Sequence, residues 1–413
     1  MRIVMGAQNC GFGPVAELAA VSRLLAGHER VFVGDGVAAS FARANPDAFD
    51  DIRPVSGAVS ALLESSDHVV SAMDADLALR AVVARRPVVM VDSLFGFWRL
   101  GRPLARIRDL CEGLPRSGYA AADAHLRELS PHERIVAAHL LATDSVVQNF
   151  PGIDARLAEF AALGSGPPAV HLTGAIIDHT GLPAPGAAPP EYDLLVNVGG
   201  FRNFLLDFES HNDYLLLLER RLEDLPRDWP RFRRVLVCGG PFAGRRGRTV
   251  SSAGRETTFR CLPRRELLRQ VANTPAYLMA PGLTALHEAL ALDRLPLALH
   301  EQHYAHVFTV RRLGGTLFGR TANRFSDVVP YDDVPEEDFA GTAALVRIAG
   351  RVRTDEDLYA AFRRSFNERV ERHLSLTPTQ RRLGVRELQD VLGGEPVSSV
   401  VARIFRPGGR GLT

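Results

Sequence analysis

Two polar pairs stand within otherwise apolar segments in the second half of the chain. His287 and Glu288 interrupt an apolar helical pattern, and Glu301-Gln302 ends the apolar run LPLALH. A carboxylate such as Glu288 can accept two hydrogen bonds from a pair of vicinal hydroxyls. Thr284, at the start of the same helix, offers a hydroxyl and nearby exposed N–H groups to an anion. The competing interpretations are a solvated helix face for Glu288, a core histidine for His287 and an ordinary loop start for Glu301.

Glycine-containing turns follow four of the apolar runs that have the character of strands. They are Gly6 to Pro14 after RIVMG, Gly199-Gly200 after LLVNV, Gly239-Gly240 after VLVC, and Pro281-Gly282 after AYLMA. Glycine allows the backbone to approach a phosphate, and a helix N-terminus then presents its N–H groups. Tight strand-to-helix turns also use glycine for steric reasons alone. Three such turns in the second half nevertheless favour a diphosphate site there.

The first glycine loop does not have the spacing of a dinucleotide-binding loop. Its glycines are Gly6, Gly11 and Gly13, which do not form G-x-G-x-x-G. Asp35, after the second apolar run, could imitate a ribose-binding acid, but the glycine spacing disfavours a dehydrogenase.

Composition excludes several other classes. The chain has 413 residues, of which 46% are hydrophobic and 23% charged, enough for two or three domains with cores. Its net charge of +1 gives no general attraction to nucleic acid or acidic membranes. All 49 basic residues of the Lys+Arg count are arginine, so Schiff-base, pyridoxal-phosphate, P-loop and kinase lysines are excluded. The 4 cysteines lack metal-ligand spacing. With no apolar span and no signal layout, we expect a cytoplasmic protein without a membrane span.

The elements that would position these residues alternate between strands and helices in both halves. Near-continuous apolar strands predict parallel sheets covered by helices on both faces, which is an α/β class. The pattern predicts a first domain over residues 1–179, a Pro/Gly-rich linker over 180–191, a second domain over 192–354 and a helical tail over 355–413. The tail helices would pack across the domains or onto a partner subunit, so a homodimer stays open.

Residues Val235 to Gly315 resemble the GT-B class of nucleotide-sugar glycosyltransferases, above all the UDP-glycosyltransferases and the lipid II-forming N-acetylglucosaminyltransferase. In that family a glycine turn opens the donor-site helix and a glutamate six residues later binds the ribose, as with Gly282 and Glu288. A strand with a proline follows and ends in an acidic residue and Gln, as in Glu301-Gln302. The resemblance implies two doubly wound Rossmann-like domains facing across a cleft, and an inverting, metal-independent enzyme.

The resemblance assigns the donor to the second domain. Its ligand would be a nucleotide sugar, with UDP as the expected nucleotide, used as a co-substrate without a cofactor or metal. Glu288 would bind the ribose, Glu301 and Gln302 the sugar hydroxyls, and backbone amides the leaving diphosphate. The donor-binding residues are Gly200, Gly240, Arg245, Gly282, Leu283, Thr284, Glu288, Glu301 and Gln302.

The acceptor side departs from the family pattern. The loop after the first strand has Asn9 and Cys10 where relatives often have a general-base histidine. Asp74 ends one strand and fits the position of the aspartate that holds that histidine, and Asp92, which ends another strand, is also expected to point into the cleft, although both could simply cap helices. The expected catalytic residues are Asp74, Asp92 and Asn9, and the expected acceptor-binding residues are Gly11, Phe12, Gly13, Phe95 and Trp98. A ring amide, thiol or amine acceptor would need little help from a base.

An arginine-rich region predicts either a solvated loop or an anion site. Its members are Arg245, Arg246, Arg248, Arg255, Arg264 and Arg265. Bidentate arginines suit a diphosphate or a carboxylated sugar, whereas the absence of interleaved aromatics disfavours nucleic acid. The whole chain also resembles the cytosylglucuronic acid synthases of antibiotic biosynthesis, which join glucuronate to the ring nitrogen of cytosine. The alternatives are a sugar-nucleotide epimerase or hydrolase, and a non-catalytic sugar-nucleotide-binding subunit.

Overall fold

The chain folds into two compact units. The structure, a computed structural model, describes residues 1–56, 59–164, 168–186, 188–200, 212–240, 247–252, 254–330 and 334–406. Unit 1 comprises Met1–Asp178 and Val391–Thr413, and unit 2 comprises His179–Asp390.

Unit 1 is built on a parallel sheet. Its described residues form a 7-stranded sheet in the order β3-β2-β1-β4-β5-β6-β7. The strands are β1 (Arg2–Ala7), β2 (Glu29–Val33), β3 (Asp51–Arg53), β4 (His68–Ala72), β5 (Val88–Asp92), β6 (Asp144–Gln148) and β7 (Ala169–Thr173). The helices are α1 (Gly13–Leu24), α2 (Gly36–Ala44), α3 (Val59–Glu64), α4 (Ala75–Val83), α5 (Leu104–Glu112), α6 (Tyr119–His125), α7 (Pro131–Leu141) and α8 (Ile153–Ala161).

The alternation of side chains along β1 explains why helices cover both faces of this sheet. Ile3 and Met5 pack into one apolar cluster with Leu18 of α1, whereas Val4 packs into a second cluster with Leu77 of α4. Successive residues of a strand point to opposite faces, so a continuous apolar run has to be buried on both. The runs that the sequence identifies as strands therefore become the middle of the unit.

Unit 2 is built on a second, mostly parallel sheet. Its described residues form a 6-stranded sheet in the order β10-β11-β9-β8-β12-β13, and only β10 is antiparallel to its neighbour there. The strands are β8 (Leu194–Asn197), β9 (Arg234–Cys238), β10 (Arg248–Ser252), β11 (Arg255–Arg260), β12 (Ala276–Met279) and β13 (Leu297–Ala298). The helices are α9 (Asp213–Asp228), α10 (Arg264–Asn273), α11 (Leu283–Ala291), α12 (Tyr304–Arg312), α13 (Leu317–Thr321), α14 (Asp338–Thr354), α15 (Glu356–Leu374) and α16 (Pro378–Leu392).

The C-terminal part of the chain is divided between the units. In unit 2, α14 packs against α9, and α15 packs against α13 and α14. One further helix, α17 (Val397–Ile404), packs against α1, β6 and β7 of unit 1 and buries Val397, Val400 and Val401 there. Helix α14 is an element that the sequence patterns did not predict.

The predicted α/β class with two doubly wound parallel sheets is confirmed, and the β10–β11 hairpin is its one antiparallel pair among the described strands. In the residues that the structure describes, no helix is long and apolar enough to cross a membrane.

Candidate functional site

The carboxyl ends of four adjacent strands bring the glycine turns of unit 2 together. Strands β9, β8, β12 and β13 are neighbours in that order, so the turns that follow them lie along one edge. The N–H of Gly240 donates to the carbonyl of Gly199 at 2.8 Å. A Cβ atom on Gly239 would lie 2.5 Å from the same carbonyl, so the approach of these two turns requires glycine. The edge therefore carries Gly200, Gly240 and Gly282 as the sequence predicts.

Helix α11 begins at this edge without a side-chain cap. Gly282 is its N-cap residue, and no side-chain hydrogen bond from the described residues caps the helix. Leu283 is buried and Thr284 half-buried in the first turn. The N–H groups of a first helical turn have no partner within the helix, and the helix dipole makes this end attractive to anions. Such an end can bind a phosphate group through its backbone.

Glu288 lies farther along α11 and is paired with an arginine. Its Oε1 accepts a hydrogen bond from Nε of Arg264, the first residue of α10, at 2.7 Å, and both side chains are 10% exposed. An enclosed carboxylate loses most of its hydration. The positive charge of the Arg264 guanidinium compensates for that loss. The solvated-face interpretation of Glu288 is therefore wrong. A carboxylate held in this way keeps its second oxygen in a fixed direction.

Glu301 and Gln302 point into the protein. Oε2 of Glu301 accepts a hydrogen bond from the N–H of Phe325 at 3.0 Å, and Nε2 of Gln302 donates to the carbonyl of Val198 at 3.0 Å. The two residues are 1% and 2% exposed. Both side chains thus tie β13 to neighbouring segments. These hydrogen bonds do not involve Oε1 of either residue, so the contact with sugar hydroxyls that the resemblance implies stays a prediction.

A histidine pair lies at the same edge, and sequence reasoning did not select it. The rings of His303 and His306 are 3.8 Å apart between centroids. Nε2 of His306 lies 3.9 Å from the position that a Cβ on Gly282 would occupy. Burial lowers the pKa of His303 to about 4 and that of His306 well below its ordinary value. The spacing of His303 and His306 one helical turn apart was the available signal.

The arginine-rich region is only partly described. Arg245 and Arg246 lie outside the described residues, so the predicted donor role of Arg245 stays a prediction. Arg248 lies over the ring of Phe259, with 4.7 Å from its guanidinium carbon to the ring centroid. Arg265 is exposed. Arg264 is linked directly to a predicted donor residue, because its guanidinium pairs with Glu288.

In unit 1, Asp74 follows a strained position at the carboxyl end of β4. Met73 before it has a positive φ of 56°, which non-glycine residues rarely adopt. Oδ1 of Asp74 accepts a hydrogen bond from the N–H of Leu77 at 3.0 Å and so caps α4. Burial raises the pKa of the Asp74 carboxyl. A carboxylate that caps a helix retains further acceptor positions, at which it can take up a proton.

Asp92 is fully enclosed in unit 1, and its predicted catalytic role stays a prediction. It is 0% exposed. Its carboxylate accepts hydrogen bonds from the N–H of Leu94 and Nε1 of Trp98, each at 2.6 Å, and lies 2.9 Å from Nε2 of His139. A buried carboxylate needs several such partners. Asp92 therefore anchors the core of unit 1.

The two aromatic residues predicted to bind the acceptor are also part of this core. Phe95 is 0% exposed, and its ring packs against those of His139 and Phe160 at 4.8 and 5.0 Å. Trp98 is 4% exposed and bonded to Asp92. The protein covers both side chains in this structure, and their predicted contact with an acceptor stays a prediction.

The loop after β1 is held by a helix cap. Oδ1 of Asn9 accepts a hydrogen bond from the N–H of Val37 at 2.9 Å, at the start of α2. Gly36 has a φ of 58°, and a Cβ there would lie 2.5 Å from Nδ2 of Asn9. Asn9 thus fixes the loop that carries Gly11, Phe12 and Gly13. An amide is not a base, so its role here is to position the loop.

A buried carboxylate next to this loop was missed by sequence reasoning. Oε1 of Glu17, on α1, accepts a hydrogen bond from the hydroxyl of Ser93 at 2.6 Å, and Glu17 is 2% exposed. Ser93 directly follows β5. The pair joins α1, the helix that follows the loop after β1, to the carboxyl end of β5.

The chain is similar to solved structures of glycosyltransferases. No protein-family model matches it, and no curated protein matches it. Phytolacca americana UGT2, complexed with UDP-2fluoro-glucose and pterostilbene, is 12% identical over 94% of this chain and 99% of that chain, with a TM-score of 0.44. A ugt transferase from Siraitia grosvenorii in complex with UDP is 14% identical over 91% and 99%, with a TM-score of 0.44. The glycotransferase of kitacinnamycin is 13% identical over 97% and 98%, with a TM-score of 0.46. They are of the class that the sequence resembles, and the likeness concerns the fold alone.

Proposed function

We propose that the protein is an inverting, metal-independent glycosyltransferase that moves a sugar from a nucleoside diphosphate, with UDP as the nucleotide, to a small-molecule acceptor. The observation that carries this proposal is the arrangement on α11. An uncapped helix N-terminus at a glycine turn is followed, on the same helix, by a carboxylate that Arg264 holds. The first feature suits a diphosphate and the second suits a ribose diol.

The donor would bind to unit 2 through these two features. Glu288 would accept hydrogen bonds from the ribose hydroxyls, with Arg264 fixing the direction of its carboxylate. The N–H groups at the start of α11, with the turns at Gly200 and Gly240, would donate to the diphosphate. As the glycosidic C–O bond breaks, its electron pair passes to the diphosphate oxygen, and these donors stabilise the developing charge.

The acceptor would be bound by unit 1, with Asp74 as the proton acceptor. The nucleophilic atom forms a bond to the anomeric carbon on the face opposite the diphosphate, and its proton passes to the Asp74 carboxylate. The raised pKa of Asp74 and its position after a strained residue support this choice. The other two predicted catalytic residues suit this role less well, because Asp92 is enclosed and Asn9 caps a helix.

The narrower proposal names glucuronate as the sugar and cytosine as the acceptor. A ring nitrogen needs less deprotonation than an alcohol, which fits a loop without a histidine. The arginines of the β10–β11 region would pair with the sugar carboxylate. The arginines of this region include Arg245 and Arg246, which lie outside the described residues.

Mass spectrometry of reaction mixtures tests the proposal. The full-length protein is incubated with UDP-glucuronate, UDP-glucose or UDP-N-acetylglucosamine, each with and without cytosine and a panel of amines, thiols and phenols. A glycosylated acceptor together with equimolar UDP supports transfer. Free sugar in mixtures that lack an acceptor would instead identify a hydrolase, and a changed sugar on an intact donor would identify an epimerase.

A non-catalytic subunit is the remaining alternative, and the absence of a histidine in the loop after β1 favours it. Such a subunit would bind UDP-sugars and form no product with any acceptor. Binding without turnover across the whole panel would therefore overturn the enzymatic proposal and leave the binding site standing.

A further inference from the structure

His306 lies in the first turn of α12 and is almost fully enclosed. It is 6% exposed. Helix α12 begins directly after Gln302 and His303, at the carboxyl end of β13. The ring therefore belongs to the same edge of the unit 2 sheet as the turn at Gly282.

The hydrogen bond to one ring nitrogen determines where the proton of the ring lies. The backbone N–H of Gln302 donates to Nδ1 of His306 at 3.3 Å. A nitrogen that accepts a hydrogen bond uses its lone pair, so the proton of the neutral ring lies on Nε2. Burial, with a smaller contribution from His303, lowers the pKa of His306 well below its ordinary value and keeps the ring neutral.

The protonated nitrogen is directed at the start of α11. Nε2 lies 3.9 Å from the position of a Cβ on Gly282, the N-cap residue of that helix. Among the described residues, the only hydrogen bond to the ring of His306 is the one at Nδ1, while its backbone N–H donates to the carbonyl of His303 at 3.0 Å. The N–H groups of a first helical turn have no partner within the helix, so a ligand oxygen bound at this helix start could accept from them and from Nε2 together.

We propose that His306 donates a hydrogen bond from Nε2 to the diphosphate of the donor, and that Gln302 keeps the ring in the tautomer this requires. The inference rests on the proposed function and adds a specific side chain to the backbone N–H groups that are proposed to bind the diphosphate. A neutral donor stabilises the charge that develops on the leaving oxygen without a proton moving. It also explains why Gln302 is buried, because its backbone orients the histidine while its side chain bonds to Val198.

The same geometry makes Gly282 part of the site. A side chain at this position would project toward Nε2 of His306 and fill the space where the phosphate oxygen is expected. The glycine therefore has a steric role here beyond its backbone freedom, since its φ of −84° is open to any residue.

Calorimetric titration of UDP, inorganic pyrophosphate and uridine into the full-length protein tests the proposal. His306→Leu removes the donor, whereas His306→Gln places an amide N–H near the position of Nε2. We expect His306→Leu to weaken UDP and pyrophosphate binding about tenfold to a hundredfold and to leave uridine binding unchanged, with His306→Gln recovering most of the loss. Equal UDP affinity in the wild type and His306→Leu would overturn the role of His306.

Nitrogen NMR of the wild-type protein, labelled with ¹⁵N in its histidines, keeps the test open if His306→Leu does not fold. We expect the His306 ring to carry its proton on Nε2. The Nε2 resonance of this ring should shift when UDP or pyrophosphate is added, but not when uridine is added. A ring protonated at Nδ1, or an Nε2 resonance indifferent to pyrophosphate, would contradict the proposal. No binding of UDP to the wild type at all would instead refute the proposed function.

Discussion

Nε of Arg264 lies 2.7 Å from Oε1 of Glu288, so an arginine of α10 holds the carboxylate that the sequence assigns to a ribose. The two residues belong to different motifs in the sequence, the arginine-rich region and the apolar helix. In the structure they form one ion pair, so an effect of the arginine on the proposed donor would pass through the glutamate.

This pair predicts a specific pattern of nucleotide affinity. Glu288→Gln keeps the shape of the side chain but removes its charge, so hydrogen bonds from the ribose hydroxyls weaken. We expect UDP affinity to fall about tenfold to a hundredfold, measured by calorimetry. The wild type should lose a similar factor with 2′,3′-dideoxy-UDP, whereas Glu288→Gln should bind UDP and the dideoxy nucleotide alike. If the dideoxy nucleotide bound to Glu288→Gln more weakly than UDP by the same factor as in the wild type, the ribose role would be contradicted.

Removal of the arginine should act on stability as well as on binding. Arg264→Met leaves the enclosed Glu288 carboxylate without this partner, and we expect about 3 kcal/mol of destabilisation in chemical denaturation. The double variant Arg264→Met with Glu288→Gln should recover most of it, because no charge remains unpaired. Exposed Arg265→Met is the matched control and should change stability little. Equal stabilities of the single and double variants would contradict the pairing.

Asp74 is predicted to accept a proton without being essential to the fold. Asp74→Asn retains an oxygen that can cap α4 but cannot take up a proton. With an acceptor identified, we expect kcat to fall about a hundredfold or more, while the melting temperature changes little. A variant with unchanged kcat would show that the acceptor loses its proton elsewhere.

Asp92 is predicted to behave in the opposite way. Asp92→Ala removes the partner of Trp98 and His139 in the core of unit 1. We expect about 3 kcal/mol of destabilisation or more by denaturant unfolding. UDP affinity of the folded protein should be unchanged. A variant as stable as the wild type, with altered turnover, would restore the catalytic interpretation that the buried position argues against.

The buried histidines predict a loss of stability in mild acid. Burial lowers the pKa of His287 to about 4 and that of His300 to about 3. The unfolded chain therefore binds more protons than the folded one as the pH falls below about 6.5. The free energy of unfolding should decrease from pH 6.5 downward and level off with respect to these groups near pH 4 to 3.

One substitution separates this effect from general acid unfolding. His300 is surrounded by Phe325, Phe362 and Phe366, so His300→Phe replaces a titrating ring with an apolar one. We expect a shallower decrease of stability between pH 6.5 and 4, measured by urea unfolding at each pH. A pH profile of His300→Phe identical to that of the wild type would contradict the origin proposed for the acid sensitivity.

Strand positions were predictable because apolar runs such as RIVMG and VLVC admit few other interpretations in a parallel sheet. The direction of polar side chains at the strand ends was not. Asp92 and Asp74 both end strands in the sequence, yet Asp92 turns inward because Trp98 and His139 offer donors there. His139 is 47 residues away from Asp92 in the sequence, and no local sequence pattern predicts such a partner.

The same limit explains the donor site. The position of Glu288 on a helix after a glycine turn follows from short spacing, which a sequence displays directly. The importance of His306 depends on how α12 packs beside the turn at Gly282, and on a backbone hydrogen bond from Gln302. Tertiary packing of this kind leaves no regular signature along the chain.

Calorimetric titration of UDP into the wild-type, full-length protein tests the central claim most directly, because every assigned role begins with a nucleoside diphosphate in unit 2. We predict saturable binding that uridine alone does not match and that Glu288→Gln weakens. The absence of binding by UDP and by every other nucleoside diphosphate tested, in a protein that is folded by circular dichroism, would contradict the account.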